Sequence, residues 1–489
     1  MKVKDLLIVT ILISSLTLFS CETEVKDVPP PAPSSVIPTE SQVEYQQMEM
    51  IGFIHFTVNT FTDKEWGMGD EDISIFNPSE LDTEQWVKVA KEAGLKELIL
   101  TAKHHDGFCL WPSAYTEHSV KNSPYKDGKG DIVKEFTDAC KKYGIKAGLY
   151  LSPWDRNHAD YGKPEYIEYY RNQLTELLTN YGDISEIWFD GANGGDGYYG
   201  GANEERRIDK LTYYDWDNTI ALVKKLQPNI LVFSDAGPDI HWIGNEKGFA
   251  GETFWSTIDK SKLVIGGSES AYLNAGDPNG NSWIVGQCDV SIRPGWFYHA
   301  KEDDEVKTPE HLLDIYYKSV GRNAILLLNL PPDRRGLLHE NDVKNLNTFK
   351  QMRDQIFDDN LAKGKEATAD TYWGSHPDYA ASKITDGSFD TYWAAEQGKK
   401  VATLNLDLGA ETSFDHLVLQ EYTPLGQRVS SFTVYAQDGE SWKEITGGTT
   451  IGLKRILTFS EVSASKLKLE LETTGDVPTI AEWAIYNAE

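Results

Sequence analysis

Residues 181–195 read Tyr-Gly-Asp-Ile-Ser-Glu-Ile-Trp-Phe-Asp-Gly-Ala-Asn-Gly-Gly. Tyr181-Gly182 closes a helical pattern, Ile184 to Phe189 is a short buried strand, and Asp190 stands where that strand ends. A carboxylate at the C-terminal end of a buried strand, inside a rim of aromatics and loop, is where α/β barrels carry catalytic groups. Outward from this stretch, apolar runs suited to buried strands recur at 51–56, 97–102, 146–151, 230–233, 283–290 and 324–330. Amphipathic helices separate them, over 82–93, 131–143, 164–181, 213–226 and 309–320. Such alternation implies parallel strands. Polar residues follow several different strands, which favours a (β/α)8-like, TIM-type barrel over a doubly wound sheet, here spanning 45–355.

After residue 360 the pattern changes to short alternating strands at 402–408, 416–421, 431–437 and 466–472, broken by Gly, Asp and Pro turns. This predicts an all-β sandwich domain over 360–489. Of 489 residues, 14 are Trp and 24 are Tyr, and the net charge is −29. That charge excludes nucleic acid or an anionic membrane surface as partner, since both need clustered Lys and Arg. Cys109, Cys140 and Cys288 are widely spaced and form neither a zinc pattern nor a disulfide framework. The oligomeric state is open at this level.

Residues 1–20 read as a signal peptide: Lys2 and Lys4 precede an apolar run too short to span a bilayer comfortably. It ends Leu18-Phe19-Ser20-Cys21, which resembles a bacterial lipobox and implies cleavage before Cys21, lipidation of its thiol, and a place in the bacterial cell envelope. Membrane contact is then through the lipid alone. Residues 21–44, with Pro29-Pro30-Pro31, read as a flexible tether.

Three clusters join Asp190 at strand ends: Ile54-His55-Phe56 with Glu65-Trp66 in the following loop, Lys103-His104-His105-Asp106, and Tyr150 with Trp154-Asp155. Neighbours on a strand point to opposite faces, so His104 and His105 share one ligand only if they leave the strand in a turn. Candidates for a second carboxylate are Asp235, Asp239, Glu246 and Glu252. Glu246 lies between Trp242 and Phe249, where aromatic neighbours desolvate a carboxyl and raise its pKa, as a general acid requires. With Asp190 ionised as nucleophile, this is the division of labour of a retaining glycoside hydrolase.

Ile-His-Phe at 54–56, Lys-His-His-Asp-Gly-Phe at 103–108, Trp-Phe-Asp-Gly at 188–191 and Arg-Pro-Gly-Trp-Phe-Tyr at 293–298 together resemble the retaining α-L-fucosidases of glycoside hydrolase family 29. Gly-Asn-Glu at 244–246 resembles the branch that releases α1,3- or α1,4-linked fucose from branched, fucosylated oligosaccharides. The resemblance implies Asp190 as nucleophile and Glu246 as acid/base. It further implies His55, Glu65, Trp66, His104, His105, Tyr150, Arg293 and Trp296 as substrate-binding residues, and no cofactor for catalysis. The tail, with Ile384-Thr385-Asp386-Gly387, Thr391-Tyr392-Trp393 and Glu482, resembles a discoidin-type (F5/8 type C) or family 32 carbohydrate-binding module. There Asp386, Thr391 and Glu482 would hold a structural calcium, an oxygen set suited to that ion. Competing readings are a catalytically silent surface glycan-binding protein and a retaining hydrolase of another sugar such as galactose.

Overall fold

The computed structural model describes residues 28–488, so the expected signal peptide and Cys21 lie outside the described residues. Eight parallel strands close into a barrel: β1 Met50–Ile54, β2 Glu97–Lys103, β3 Lys146–Leu151, β4 Glu186–Trp188, β5 Leu231–Ser234, β6 Ile240–Trp242, β7 Val285–Ser291 and β8 Ile325–Asn329. Each pairs with the next in chain order, and β8 returns to β1. The sequence pattern predicts seven of these. The missing one, β6, lies in a stretch read as loop, because it has three residues and no helix before it. Residues 235–239 alone connect β5 to β6, doubling back so that the Asp239 N–H donates to Val232 O at 3.3 Å and the Val232 N–H donates to the Asp239 carboxylate at 2.9 Å.

The helices of eight residues or more among the described residues are α1 Glu40–Gln47, α2 Thr83–Glu92, α3 Ile132–Tyr143, α4 Glu165–Asn180, α5 Trp216–Leu226, α6 Pro309–Lys318 and α7 Glu340–Phe357. Their ends follow local chemistry. Asp82 and Asp131 accept the N–H three residues on at α2 and α3, a cap worth about 1 kcal/mol each. Gly144 ends α3 at φ 69°, a left-handed turn that costs glycine little.

Alternation along the strands builds the barrel interior. Ile51 and Phe53, Tyr150, Trp188, Leu231 and Phe233, Val285, and Ile325 and Leu327 form one buried cluster inside it. The next inward position, two residues on, is His55 after Phe53, Asp190 after Trp188, Asp235 after Phe233 and Asn329 after Leu327. The same period that packs the core therefore delivers polar groups to one rim.

The opposite end is closed by α1, which begins with a Thr39/Gln42 capping box. Gln42 Nε2 donates to Asp239 O and Trp283 O, both at 3.0 Å, and Gln287 Nε2 donates to Tyr45 Oη at 2.6 Å. This corrects the tether reading for the described part of 21–44. Residues 28–34 lie along the C-terminal domain, with Pro29 O accepting from Trp373 Nε1, Ala32 O from Arg428 and the Ser34 N–H donating to Leu425 O. The proline-rich composition signals an extended chain, but extended chain also packs.

The C-terminal domain is antiparallel: β9 Glu366–Ala369, β10 Val401–Gln420, β11 Val429–Asp438, β12 Ser441–Gly448, β13 Arg455–Thr473 and β14 Glu482–Tyr486 form one sheet. A two-stranded piece, Trp393–Ala394 with Thr479–Ile480, accompanies it. The predicted strands at 402–408 and 416–421 are one strand, β10, whose register against β13 shifts between Asp407 and Thr412. The domain docks on the barrel through apolar contacts, with Val418, Ile456 and Ala484 in one buried cluster with Tyr316 and Val320, and through polar ones. Asn323, at φ 67°, donates to Ser256 Oγ at 3.0 Å and Gln427 Oε1 at 3.3 Å, and accepts from the Leu453 N–H at 2.7 Å. Glu252 is held there by Arg322 and Arg455.

Candidate active site

Loops after the barrel strands enclose a cavity of about 510 Å³ at the C-terminal rim. Its wall includes His55, Glu65, Trp66, His104, His105, Tyr150, Asp190, Glu246 and Trp296, nine of the ten residues anticipated for catalysis and sugar binding. Arg293 is the exception. It is fully buried with Nε on Asp342 Oδ2 at 2.9 Å and Nη1 on Asp303 Oδ1 at 2.9 Å, so its charge is consumed in bracing the loop after β7. The structure thus gives Arg293 no place on the cavity wall where a sugar hydroxyl would reach it.

Asp190 is held on both oxygens. Tyr150 Oη donates to Oδ2 at 3.0 Å, and the Ala192 N–H donates to Oδ1 at 2.7 Å, fixing the chain as it turns out of β4. His105 Nε2 lies 3.7 Å from Oδ2. The two hydrogen bonds satisfy both oxygens and fix the direction of the carboxylate.

The histidine protons follow from their partners. Ser152 Oγ donates to Trp154 O at 2.6 Å, so His105 Nδ1, 2.6 Å from Ser152 Oγ, must be the donor of that pair. Asn329 spends its NH2 on Ser291 Oγ and Trp296 O, so its Oδ1 accepts from His55 Nδ1 at 2.8 Å. Burial holds both rings neutral, His55 down to about 3 and His105 below the usual histidine range. Each then presents an unprotonated Nε2 as an acceptor. His104 stacks on Tyr150 with ring centroids 5.7 Å apart, and its buried Nδ1 has no hydrogen-bond partner among the described residues, which leaves the proton on Nε2. Two acceptors and one donor on one wall are a set for hydroxyl groups.

Glu246 rises on a braced loop. Asn245 ties its Nδ2 to Phe249 O at 2.9 Å and accepts from the Lys247 N–H at 3.0 Å, while a side chain at Gly244 (φ 92°) would strike Ser270 O. Burial, with Asp190 and Glu65 adding repulsion, raises the Glu246 pKa, although Trp296 Nε1 donates to its Oε2 at 3.3 Å. Trp296 is itself positioned by Glu65, whose oxygens accept from the Trp296 N–H at 2.8 Å, the Phe297 N–H at 3.1 Å and His299 Nε2 at 2.7 Å. Burial opposes charge on His299, but carboxylates on both ring nitrogens, Asp63 and Glu65, outweigh it and raise its pKa. Trp66 stands half exposed at the mouth, edge-on to His105 and Trp154.

Of the other carboxylate candidates, Asp235 also lines the cavity, accepting the Gly266 N–H at 2.5 Å, and burial pushes it up to about 7. Asp239 pairs with Lys224 at 2.6 Å below the site, and Glu252 belongs to the domain junction. Sequence reasoning misses Asp289, Asn329 and the Gly266-Gly267-Ser268 segment, of which Asp289 and that segment line the cavity. The alternation of Val285, Gln287 and Asp289 in β7 is a signal that could have found Asp289.

In the C-terminal domain, the three residues expected around calcium do gather. Thr391 Oγ1 donates to Asp386 Oδ2 at 2.6 Å, and burial with the Asp386 charge raises Glu482 to about 7. Glu482 Oε2 is buried without a hydrogen-bond partner among the described residues. Negative oxygens facing one another, one of them orphaned, fit a hard cation.

A barrel with paired carboxylates and hydroxyl-recognising side chains at its C-terminal rim defines a glycoside hydrolase. Residues 34–352 match the alpha-L-fucosidase family and residues 366–485 match the F5/8 type C domain. The chain belongs to the alpha-L-fucosidase family. It is 44% identical to an Arabidopsis thaliana protein named alpha-L-fucosidase 1, over 94% of this chain and 89% of that one. Among solved structures, a family 29 glycoside hydrolase from an unknown rumen bacterium superposes with a TM-score of 0.83 at 45% identity, covering 94% of this chain and 78% of that one. A Ruminococcus gnavus family 29 fucosidase solved with fucose superposes with a TM-score of 0.85 at 36% identity, covering 95% and 97%.

Proposed function

We propose that this α-L-fucosidase is a retaining exo-enzyme that releases α1,3- or α1,4-linked L-fucose from branched oligosaccharides. The observation that carries the mechanism is the contrast between two carboxyls on one cavity. Asp190 is aimed by hydrogen bonds on both oxygens, while Glu246 is desolvated and raised. Asp190 attacks the anomeric carbon as Glu246 protonates the departing oxygen. Glu246, now ionised, draws a proton from water, which displaces Asp190 and frees fucose with retained configuration. His55 and His105 accept hydrogen bonds from sugar hydroxyls, and His104 donates one. The linkage preference rests on Gly244-Asn245-Glu246 and on the bracing that holds Glu246 at the cavity.

Fucose release from a Lewis-type trisaccharide, an α1,2-linked fucosyl disaccharide and an aryl fucoside tests this, with the first product anomer followed by NMR. Rapid release from the branched substrate with an α-anomer first is expected. Equal release from all three removes the linkage restriction, and a β-anomer first removes the retaining mechanism.

The C-terminal domain is read as binding calcium through Asp386, Thr391 and Glu482, which would tie the loop around Asp386 to the last strand. A chelator should then lower the Tm of the whole chain and leave its kcat at 25 °C unchanged; an unchanged Tm overturns the site. Lipid attachment at Cys21 is carried forward on the Leu18-Phe19-Ser20-Cys21 motif. The chain between Cys21 and Val28 reaches at most roughly 25 Å, which would keep the C-terminal domain close to the lipid surface. Fatty-acid labelling lost in Cys21→Ser is the test.

A further inference from the structure

The cavity wall holds five carboxyl groups, Glu65, Asp190, Asp235, Glu246 and Asp289, and no Lys or Arg. Five negative charges facing one space without a cation is untenable, so some of these groups must keep their protons. Glu65 is compensated by His299 and two backbone N–H groups, and Asp190 by Tyr150 and the Ala192 N–H. Asp289 has nothing comparable. It projects inward from the middle of β7, two residues beyond Gln287, and is nearly fully buried. The Trp242 indole, donating to Oδ1 at 2.9 Å, is its one side-chain partner among the described residues.

We propose that Asp289 is a substrate-positioning residue that works as an uncharged carboxylic acid, one oxygen pinned by Trp242 and its proton offered to an oxygen of the bound sugar. This rests on the fucosidase reading above. Burial, then the charges of Glu246 and Asp190, hold its pKa well above the usual aspartate range, opposed only in part by the indole N–H and by its own backbone N–H. The other titratable groups on the same cavity are neutral His55, His104 and His105, Tyr150, Asp235 and Glu65. None supplies a positive charge that would ionise Asp289. A neutral carboxyl donates a hydrogen bond without adding a second negative charge beside Glu246, whose proton the first step consumes.

The test compares Asp289→Ala, Asp289→Asn and Trp242→Phe with wild type on an aryl α-L-fucoside, reading KM, kcat and the alkaline limb of the pH profile, with Tm as the check on folding. Asp289→Ala is expected to raise KM about 10-fold, a lost hydrogen bond. Asp289→Asn, whose amide still donates, should restore KM to within about 3-fold, and Trp242→Phe should cost less than Asp289→Ala. The alkaline limb should stay in place in Asp289→Asn, because no charge is removed. A limb moved down by about one pH unit would mean that Asp289 is ionised and was raising Glu246, and would overturn the proposal. An asparagine variant as poor as alanine, or a Trp242→Phe loss as large as that of Asp289→Ala, would also overturn it. Wild type without turnover of any α-L-fucoside overturns the fucosidase reading and this one with it, whereas active wild type isolates Asp289.

Discussion

Tyr150 Oη donates to Asp190 Oδ2 at 3.0 Å, although the two residues sit on different strands, one at the fifth position of β3 and one just past β4. The pairing follows from register: Tyr150 lies beside Trp188, and Asp190 is the next inward position above it. In the proposed mechanism this hydroxyl supports the attacking carboxylate. A hydrogen bond to a charged group contributes about 1.5–3 kcal/mol. Tyr150→Phe should therefore lower kcat by roughly 10–100-fold. Its Tm should hold, since the ring still stacks on Trp188 at 5.2 Å. Wild-type kcat in this variant would remove Tyr150 from the mechanism.

Glu246→Gln should lower turnover of natural oligosaccharides by roughly 10²–10⁴-fold, and of an activated aryl fucoside by less, because a good leaving group needs little protonation. The sign of the pH dependence follows from burial. The acid form is the active one, so activity falls as pH rises through a Glu246 pKa that lies above the ordinary glutamate value. Trp296→Phe removes an N–H that favours the ionised form. Its alkaline limb should move to higher pH; a limb moving lower would contradict the assignment.

Glu97 and Glu186 are fully buried toward the end of the barrel that α1 closes. Burial raises Glu97 to about 7, and burial with the Glu97 charge raises Glu186 well above the usual glutamate range. The folded protein thus binds more protons than the unfolded chain above the usual glutamate value of 4.5. The contribution of this pair to stability is greatest below that value and is lost as pH rises toward 7. Tm measured at pH 5 and pH 7.5 should differ by on the order of 3 °C or more. Glu97→Gln should flatten the difference, and a Tm that rises over this interval would refute the account.

Asn323 joins the domains, and Asn323→Ala leaves the Leu453 N–H without its acceptor in a buried junction. Exposing such a donor to no partner costs about 1–3 kcal/mol. Calorimetry should show a lower Tm with kcat unchanged at 25 °C. Asn323→Gly, which relieves the left-handed φ of 67° but restores no bond, should recover only part of the loss.

How much of this was legible beforehand differs by element. The strands carrying Asp190, Tyr150, His55 and the His104-His105 pair are apolar runs, and their polar ends mark the rim. The strand carrying Trp242 is three residues between a tight turn and a long loop, below the length at which alternation is visible. Arg293 has the residue type for a sugar contact, but its partners Asp303 and Asp342 lie 10 and 49 residues further on, and no local pattern connects them to it. Residues 28–34 read as tether because docking on another domain leaves no trace in composition.

The sequence by itself determined the alternation of strand and helix, the change to an antiparallel domain, and the place of His55 and Asp190 at strand ends, since these depend on the periods of strand and helix. Only the tertiary structure decided which carboxyls share a cavity, which histidine nitrogen carries the proton, and that Asp239, Glu252 and Arg293 lie elsewhere. Those outcomes depend on barrel closure and loop bracing, which bring together groups as far apart in the chain as His55 and Asn329, and on burial, which sets the charge of a carboxyl by what surrounds it rather than by what precedes it.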